Sequence, residues 1–270
     1  MPLLGRGDSG FESLHPDIME KFAGQINVHN KEHLEQKFPT LEEEAYKESL
    51  CAFAEKIFTE ENKVGFGKTA DVFKYPEEDK NLCFKHVHNM LPGNNDIDTE
   101  IEFMDDLYNL DEHVRVPEAF ATIVSPMKLK MEGGKRTLVK DHVIVMEYID
   151  GCTLEETLTN RSLVPEGFDA TEFFNKLEVF IKKMHEKKIY HRDLHHKNVM
   201  IEFATGNPVV IDFGRSGRSY MTDESEQDIY SYEEMEGSRV VKKILPNDKV
   251  YFQEMRKQYE EYLTNSEITI

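Results

Sequence analysis

The stretch that decides the fold runs from Tyr190 to Gly214 and reads YHRDLHHKNVMIEFATGNPVVIDFG. Asp193 and the amide residue Asn198 stand five positions apart, and a short apolar hairpin leads from them to a second acidic residue, Asp212. Carboxylate and amide oxygens are ligands that magnesium accepts, and a carboxylate can also receive the proton of an attacking hydroxyl. The stretch therefore indicates a phosphoryl-transfer site.

The same stretch resembles the catalytic-loop and magnesium-loop signatures of the protein kinase family. The resemblance implies a bilobal α+β fold, with a small antiparallel β-sheet lobe followed by a reduced, mainly helical lobe. It implies that Asp193 accepts or orients the proton of the substrate hydroxyl, and that Asn198 and Asp212 bind Mg²⁺ on the phosphates of ATP. ATP and magnesium are thus the expected cofactors.

Upstream, residues 63–74 have the pattern of a strand, a tight glycine turn and a second strand. Glycines let the backbone approach phosphates closely, and the exposed amides then face negative charge. The resemblance equates this segment with the glycine-rich loop of kinases, with alanine in place of the third glycine and a valine packing over the adenine. The ATP-binding residues implied here are Gly65, Phe66, Gly67, Ala70 and Val72.

Lys85 lies inside the apolar run 82–87, where a lysine needs a partner of opposite charge. The segment 96–110 has a helical apolar face, and at about 100° per residue Glu100 flanks this face whereas Glu102 points away. The resemblance implies that Lys85 contacts the α and β phosphates and that Glu100 holds Lys85. Two alternatives remain open: an edge-strand Lys85 that points to water, and a solvated Glu100 with Lys85 paired elsewhere.

Two strands are predicted over 114–124 and 142–149, joined by a basic surface hairpin over 128–140. In the second strand the resemblance places Met146 at the back of the adenine pocket, and makes Glu147 to Ile149 the hinge whose backbone binds the base. Residues 169–187 form the strongest predicted helix, with apolar residues at positions i, i+3, i+4 and i+7. This helix leads directly into the catalytic loop.

The predicted organisation has three parts: an irregular leader over 1–40, an extension helix and kinase N-lobe over 41–149, and a truncated C-lobe over 150–270. The extension helix is expected over 41–60. A last amphipathic helix is expected near the C-terminus, with the apolar residues Val250, Phe252, Met255, Tyr259 and Tyr262.

Two departures from the kinase pattern stand out. His195 occupies the position where Ser/Thr kinases usually carry a lysine, the nearest lysine being Lys197, and Ala-Pro-Glu is missing after Asp212. A shortened activation segment is followed by Asp228-Ile229-Tyr230-Ser231, which resembles the start of the helix whose aspartate binds the catalytic loop. Beyond it, Glu233, Glu234, Glu236, Lys242 and Lys243 make this helix too polar for the buried central helix of a full kinase. This abbreviated ending, without room for peptide-docking helices, resembles the small kinases of the tRNA-modification complex and some secreted bacterial effector kinases.

The net charge of −19 over 270 residues disfavours nucleic acid and anionic membrane surfaces as partners, and no apolar run is long enough for a membrane span. Three scattered cysteines suit a reducing compartment. We therefore expect a cytoplasmic protein, or one acting in the host cytosol if it is a secreted bacterial effector. A protein substrate and an activating protein partner are the expected partners.

Together these features favour an ATP- and magnesium-dependent protein kinase, acting on Ser or Thr. Autophosphorylation at Ser216, Ser219 or Thr222 is a further expectation, with the phosphate meeting Arg192. Small-molecule phosphotransferases share the fold and lack Ala-Pro-Glu, but they usually have another residue in place of Arg192. A kinase-fold binding module or pseudokinase that acts through a partner protein is the remaining alternative.

Overall fold

The computed structural model describes residues 26–29, 57–75, 81–88, 93–124, 128–132, 135–139, 142–219, 225–236 and 239–267. They group into two compact units. The first contains the described residues of Met1–Met90 and Ala119–Tyr148, and the second contains those of Leu91–Glu118 and Ile149–Ile270. The described residues 93–118, which the sequence pattern assigns to the N-lobe, thus group with the second unit.

The first unit is built on a six-stranded antiparallel sheet with the order β1-β5-β8-β4-β3-β2. Its strands are β1 (Ile26–Val28), β2 (Lys63–Phe66), β3 (Ala70–Lys74), β4 (Leu82–Val87), β5 (Ala119–Val124) and β8 (His142–Glu147). A 3₁₀ turn, Glu60–Asn62, precedes β2, and a hairpin of β6 (Lys128–Glu132) and β7 (Lys135–Val139) lies between β5 and β8. The predicted antiparallel sheet and basic hairpin are therefore confirmed.

Three details of this unit differ from the sequence predictions. The strand expected from Val114 begins only at Ala119, and the strand expected to reach Ile149 ends at Glu147. In the predicted leader, strand β1 pairs with the outer edge of β5. The backbone of β5 thus provides hydrogen-bond partners for β1, and a local sequence pattern does not reveal this pairing. Of the helix predicted over 41–60, residues 41–56 lie outside the described residues.

The second unit alternates short strands with helices. Its helices are α1 (Ile97–Leu107), α2 (Leu154–Thr159), α3 (Ala170–Glu186), α4 (Glu226–Ile229) and α5 (Asp248–Glu267), with a 3₁₀ turn at Arg161–Leu163. Its strands are β9 (Gly151–Thr153), β10 (Ile189–Tyr190), β11 (Val199–Glu202), β12 (Pro208–Val210), β13 (Gly217–Arg218), β14 (Ser231–Glu236) and β15 (Arg239–Ile244). They form a three-stranded sheet β12-β11-β9 and the pairs β10-β13 and β14-β15.

Helices α3 and α5 pack against each other in this unit and confirm two predictions. All six apolar residues that define the helical pattern of α3 are buried: Phe173, Phe174, Leu177, Phe180, Ile181 and Met184. From α5, Phe252 and Tyr259 place their rings 6.1 and 5.8 Å from that of Phe174. Aromatic pairs at these separations add to the burial of the rings themselves. The helix that leads into the catalytic loop is thereby held against the last helix.

The helix predicted to start at Asp228 and continue through Lys243 is wrong, because residues 231–244 form the antiparallel hairpin of β14 and β15. Acidic residues lie on β14 and basic residues on β15: Glu233 lies opposite Lys242 in the register, and Glu236 forms an ion pair with Lys243. Opposite charges across an antiparallel pair stabilise it. The many polar residues of this segment disfavour a buried helix, but they are compatible with a strand pair that is exposed to solvent. Among the described helices, none is both long and apolar enough to cross a membrane.

Candidate active site

The glycine loop and Lys85 belong to the sheet of the first unit. The antiparallel register aligns Gly65 with Val72, Val72 with Lys85, and Lys85 with Ile144. Directly paired residues point to the same face of a sheet, and Met146 shares that face because it is two positions from Ile144. The register therefore places Val72, Lys85 and Met146 on one face, while Phe66 at the tip of the loop is 89% exposed.

Lys85 lies on a central strand, not on an edge. Its strand β4 is flanked by β3 and β8, and only 7% of Lys85 is exposed. The alternative of an edge-strand lysine pointing to water is therefore wrong. Burying an ammonium group is unfavourable unless a partner is supplied, so the position suits a lysine that binds anionic groups.

Two backbone groups of the predicted hinge, at Glu147 and Tyr148, are hydrogen-bonded within the first unit. The Cys83 thiol donates to the Glu147 carbonyl at 3.4 Å, and burial raises the pKa of that thiol to about 12, which keeps it protonated. The Tyr148 amide donates to the Asn81 carbonyl at 2.8 Å. The Tyr148 amide is thus already used, and base recognition through Glu147 and Ile149 stays a prediction.

Helix α1 of the second unit carries Glu100. Asp96 caps its N-terminus by accepting a hydrogen bond from Thr99 N at 2.8 Å. Glu100 is 4% exposed whereas Glu102 is exposed, as the helical spacing predicts, so the alternative of a solvated Glu100 is wrong. The ion pair of Glu100 with Lys85 would join residues of different units and stays a prediction.

The catalytic loop is folded around Asp193 and Asn198. The Asn198 side-chain amide donates to the Asp193 carbonyl at 2.8 Å, and the backbone amides of His195 and Asn198 close two further turns inside the loop. Ile211 N donates to Asn198 O at 3.0 Å, and Ile211 immediately precedes Asp212. The second unit therefore brings together the three residues predicted for catalysis and magnesium binding.

The residue that holds this loop is Asp248, at the start of α5. Its carboxylate is fully buried and accepts hydrogen bonds from His191 N at 2.9 Å, Arg192 N at 2.8 Å and His185 Nε2 at 2.9 Å. Burial would raise its pKa, but the hydrogen bond from His185, the charges of His191 and His185 and the His191 amide together lower it below the usual range of an aspartate. The carboxylate is thus held in its ionised form.

The sequence assigned this role to Asp228, and that assignment is wrong. Asp228 is exposed and pairs with Lys242 and with Ser225 in its own surface segment. The only local signal for Asp248 is an acidic residue that follows Pro246-Asn247 at the start of an amphipathic pattern, which also fits a helix N-terminus. Its contact with His191 spans 57 positions.

Two site residues adopt the left-handed backbone region that non-glycine residues rarely use: Arg192 with φ 65° and Asp212 with φ 63°. Such conformations persist where surrounding contacts enforce them, often at functional sites. Arg192 also depends on Gly217, because a methyl group added at Gly217 would lie 1.9 Å from Arg192 Cζ. Gly217 therefore leaves space for the guanidinium group.

His195 and Tyr251 surround Asp193. His195 Nε2 lies 3.8 Å from Asp193 Oδ1, and the rings of His195 and Tyr251 are 6.0 Å apart, edge to face. Burial and then the charge of Asp193, to which the tyrosine hydroxyl also hydrogen-bonds, raise the pKa of Tyr251. Lys197 lies 3.3 Å from Glu155 and is 62% exposed, so it does not replace the missing lysine at this position.

Two of the three expected autophosphorylation sites are inaccessible in this structure. Ser216 is 1% exposed with its hydroxyl 3.5 Å from the His191 carbonyl, and Ser219 is 8% exposed. Burial keeps both hydroxyls from reaching a phosphate donor in this conformation, which corrects the expectation for these two serines. Thr222 lies outside the described residues.

The second unit fits a divalent cation. Asp212 supplies a carboxylate and Asn198 an amide oxygen, both hard donors of the kind that Mg²⁺ prefers. A methyl group added at Gly214 would lie 3.3 Å from both Asp212 Oδ1 and Glu100 Oε2, so two acidic side chains face the same small volume. Positive charge from a metal ion or a lysine would stabilise such an arrangement.

A six-stranded antiparallel sheet with a buried lysine, and a second unit that joins His-Arg-Asp, Asn198 and Asp-Phe-Gly, define an α+β fold of the kinase-like phosphotransferase class. A model of the protein kinase domain matches residues 58–240, and the chain belongs to the protein kinase family. The family assigned from the sequence motifs is thereby confirmed.

Several protein kinases are similar to parts of the chain. EKC/KEOPS complex subunit bud32 of Dictyostelium discoideum is 29% identical over 47% of this chain and 49% of that protein. Serine/threonine-protein kinase PknA of Nostoc sp. is 34% identical over 26% of this chain and 12% of that protein. Serine/threonine-protein kinase PrkC of Bacillus subtilis is 38% identical over 27% of this chain and 11% of that protein. The chain thus spans about half of bud32 and a smaller share of the other two.

Proposed function

We propose that this protein is an ATP- and magnesium-dependent kinase that phosphorylates Ser or Thr hydroxyls of a protein substrate. The observation that carries the proposal is the arrangement of Asp193, Asn198 and Asp212 in one hydrogen-bonded loop system. The protein kinase domain and the relatives named as serine/threonine-protein kinases support it.

In the proposed reaction, the substrate hydroxyl oxygen attacks the γ-phosphorus of ATP. The bond from that phosphorus to the β,γ-bridging oxygen breaks, ADP leaves, and the hydroxyl proton passes to the Asp193 carboxylate. Asn198 and Asp212 would hold Mg²⁺, which neutralises the phosphate charge when bound. Lys85 would contact the α and β phosphates, and Glu100 would orient Lys85.

The bonds made by Asp248 support a catalytic role for the loop. Transfer requires Asp193 at a fixed position, because small errors in the placement of a reacting group reduce rates strongly. A buried carboxylate that binds two successive amides directly before Asp193 supplies such a position. A loop that served only as a binding surface would not require this arrangement.

The test is phosphoryl transfer from γ-labelled ATP by the purified full chain, offered generic protein substrates and, separately, a dephosphorylated cell extract. We expect magnesium-dependent label on Ser or Thr, shown by phosphoamino acid analysis. Loss of general base assistance should make Asp193→Asn about 100-fold slower or more. Asp228→Asn makes the same chemical change at an exposed aspartate and should retain wild-type activity.

The outcomes separate the alternatives. Label on metabolites but not on proteins would indicate a small-molecule phosphotransferase. Label that appears only with extract would favour a partner-activated kinase, a role for which the name of bud32 as a complex subunit gives support by analogy. Equal labelling by wild type and Asp193→Asn would refute the proposal.

A further inference from the structure

The turn before helix α1 is hydrogen-bonded to the segment that follows Asp212. Asn95 N donates to the Gly214 carbonyl at 2.6 Å. The Asn95 side-chain amide donates to the Ser216 carbonyl at 2.8 Å and to the Phe213 carbonyl at 3.3 Å. One asparagine therefore binds three backbone carbonyls within a four-residue segment.

The neighbouring residue extends this contact. Asn94 Oδ1 accepts a hydrogen bond from Arg215 Nε at 3.2 Å, so each residue from 213 to 216 bonds to Asn94 or Asn95. These partners are about 120 positions apart in the chain, and the side-chain contact from Asn95 to Ser216 spans 121. A local turn preference cannot produce such a contact.

Asn95 also connects the segment to helix α1. Asp96, the next residue, caps α1, and Glu100 follows one turn later in that helix. Glu100 and Asp212 both approach Gly214, since a methyl group added at that position would lie 3.3 Å from a carboxylate oxygen of each. The bonds from Asn95 thus determine how the backbone that carries Asp212 lies against the helix that carries Glu100.

We propose that Asn95 is a positioning residue for Asp212, and that it orders residues 213–216 without a phosphate group. The inference rests on the proposed function insofar as Asp212 binds magnesium. It agrees with the burial of Ser216, whose carbonyl accepts a hydrogen bond from Asn95 while its own side chain is 1% exposed.

The side-chain amide of Asn95 can be replaced by a group of the same size that cannot donate hydrogen bonds. Both bonds of its side chain use the NH₂ group as a donor to carbonyl oxygens. In Asn95→Asp a carboxylate oxygen of the same size would face those carbonyls and repel them. Asn95→Ala removes the donors without adding charge and should act in the same direction with a smaller effect. Asn175, exposed on α3, offers the matched control Asn175→Asp.

The experiment measures binding of a fluorescent ATP analogue at increasing magnesium concentration, together with hydrogen exchange of the amides of residues 213–219 and the melting temperature of each variant. Asn95→Asp should weaken magnesium-supported binding at least tenfold and accelerate exchange in this segment, whereas Asn175→Asp should match the wild type. Phosphatase treatment of the wild type should change neither quantity.

Wild-type binding and exchange in both Asn95 variants would overturn the inference, as would loss of protection after phosphatase treatment. Should Asn95→Asp fail to fold, Asn95→Ala decides by the direction of the same two changes, weaker binding and faster exchange. Failure of the proposed function is distinguishable, because it would remove phosphoryl transfer by the wild type while the effect of Asn95→Asp on exchange would remain.

Discussion

Replacing Asp248 by alanine should destabilise the catalytic loop far more than replacing Asp228 does. The Asp248 carboxylate is fully buried and accepts three hydrogen bonds, two of them from the consecutive amides of His191 and Arg192. Alanine removes all three and leaves buried donors that water reaches poorly. Asp228 is exposed and its side-chain contacts with Lys242 and Ser225 stay within its own surface segment, so its alanine variant is the control.

The magnitude follows from the number of bonds lost. Each buried donor left without a partner costs about 1–3 kcal/mol, and breaking a buried charged pair costs about 3–5 kcal/mol. These terms overlap, so we expect a loss of about 4 kcal/mol in the free energy of unfolding. With a urea m-value of about 3 kcal/mol/M, the midpoint should fall by roughly 1.3 M.

The assay is urea unfolding followed by circular dichroism, with phosphoryl transfer measured on the same preparations. Asp248→Ala should lower the midpoint and the rate, since Asp193 directly follows the two amides that Asp248 holds. Asp228→Ala should leave both unchanged. Equal effects of the two substitutions, or a midpoint for Asp248→Ala within about 0.3 M of the wild type, would refute this assignment of the loop-binding aspartate.

Three further predictions concern the same region. Gly217→Ala should lower the melting temperature, because the added methyl group displaces the guanidinium of Arg192. In the Arg192→Ala background the methyl group has space, so most of this loss should disappear. Additive effects of the two substitutions in this double-mutant cycle would contradict the packing argument. Tyr251→Phe should lower kcat several-fold with little change in KM for ATP, because the hydroxyl beside Asp193 is lost while the ring contact with His195 remains. An unchanged kcat would exclude a role of the Tyr251 hydroxyl in positioning Asp193. Because the pKa of Asp248 is lowered in the folded state, its carboxylate contributes stability above the usual pKa of an aspartate, and this stability is lost as the pH falls through the folded pKa. The urea midpoint of the wild type should therefore drop more on acidification than that of Asp248→Asn, and parallel pH profiles would count against this contribution.

Residues with local signals were predicted well. Lys85 stands out as a charge within an apolar run, the burial of Glu100 follows from helical spacing, and the six buried residues of α3 follow from its period. The motif around Asp193, Asn198 and Asp212 identified the family, which the match to the protein kinase domain confirms. The pairing of Lys85 with Glu100 and the roles of the site residues stay predictions.

Residues whose importance comes from distant partners were missed. Asn95 lies in a turn that the sequence marks only as a break between elements, and its partners follow about 120 positions later. The helix prediction for β14 and β15 rests on the resemblance of residues 228–231 to the start of a kinase helix, and the charges that follow do not distinguish a polar helix from a solvated strand pair. Strand formation depends on the partner strand more than on intrinsic preference.

The sequence by itself determined the family and the residue pattern of the candidate site: an aspartate, an asparagine and a second aspartate at kinase spacing, together with a lysine that needs an anionic partner. Such features are local, because a motif or a period is contained in a few consecutive turns. Only the tertiary structure decided that Asp248 rather than Asp228 holds the catalytic loop, and that Asn95 binds the segment after Asp212. These contacts join chain segments about 60 to 120 positions apart, and their partners are selected by packing, which a one-dimensional pattern does not record.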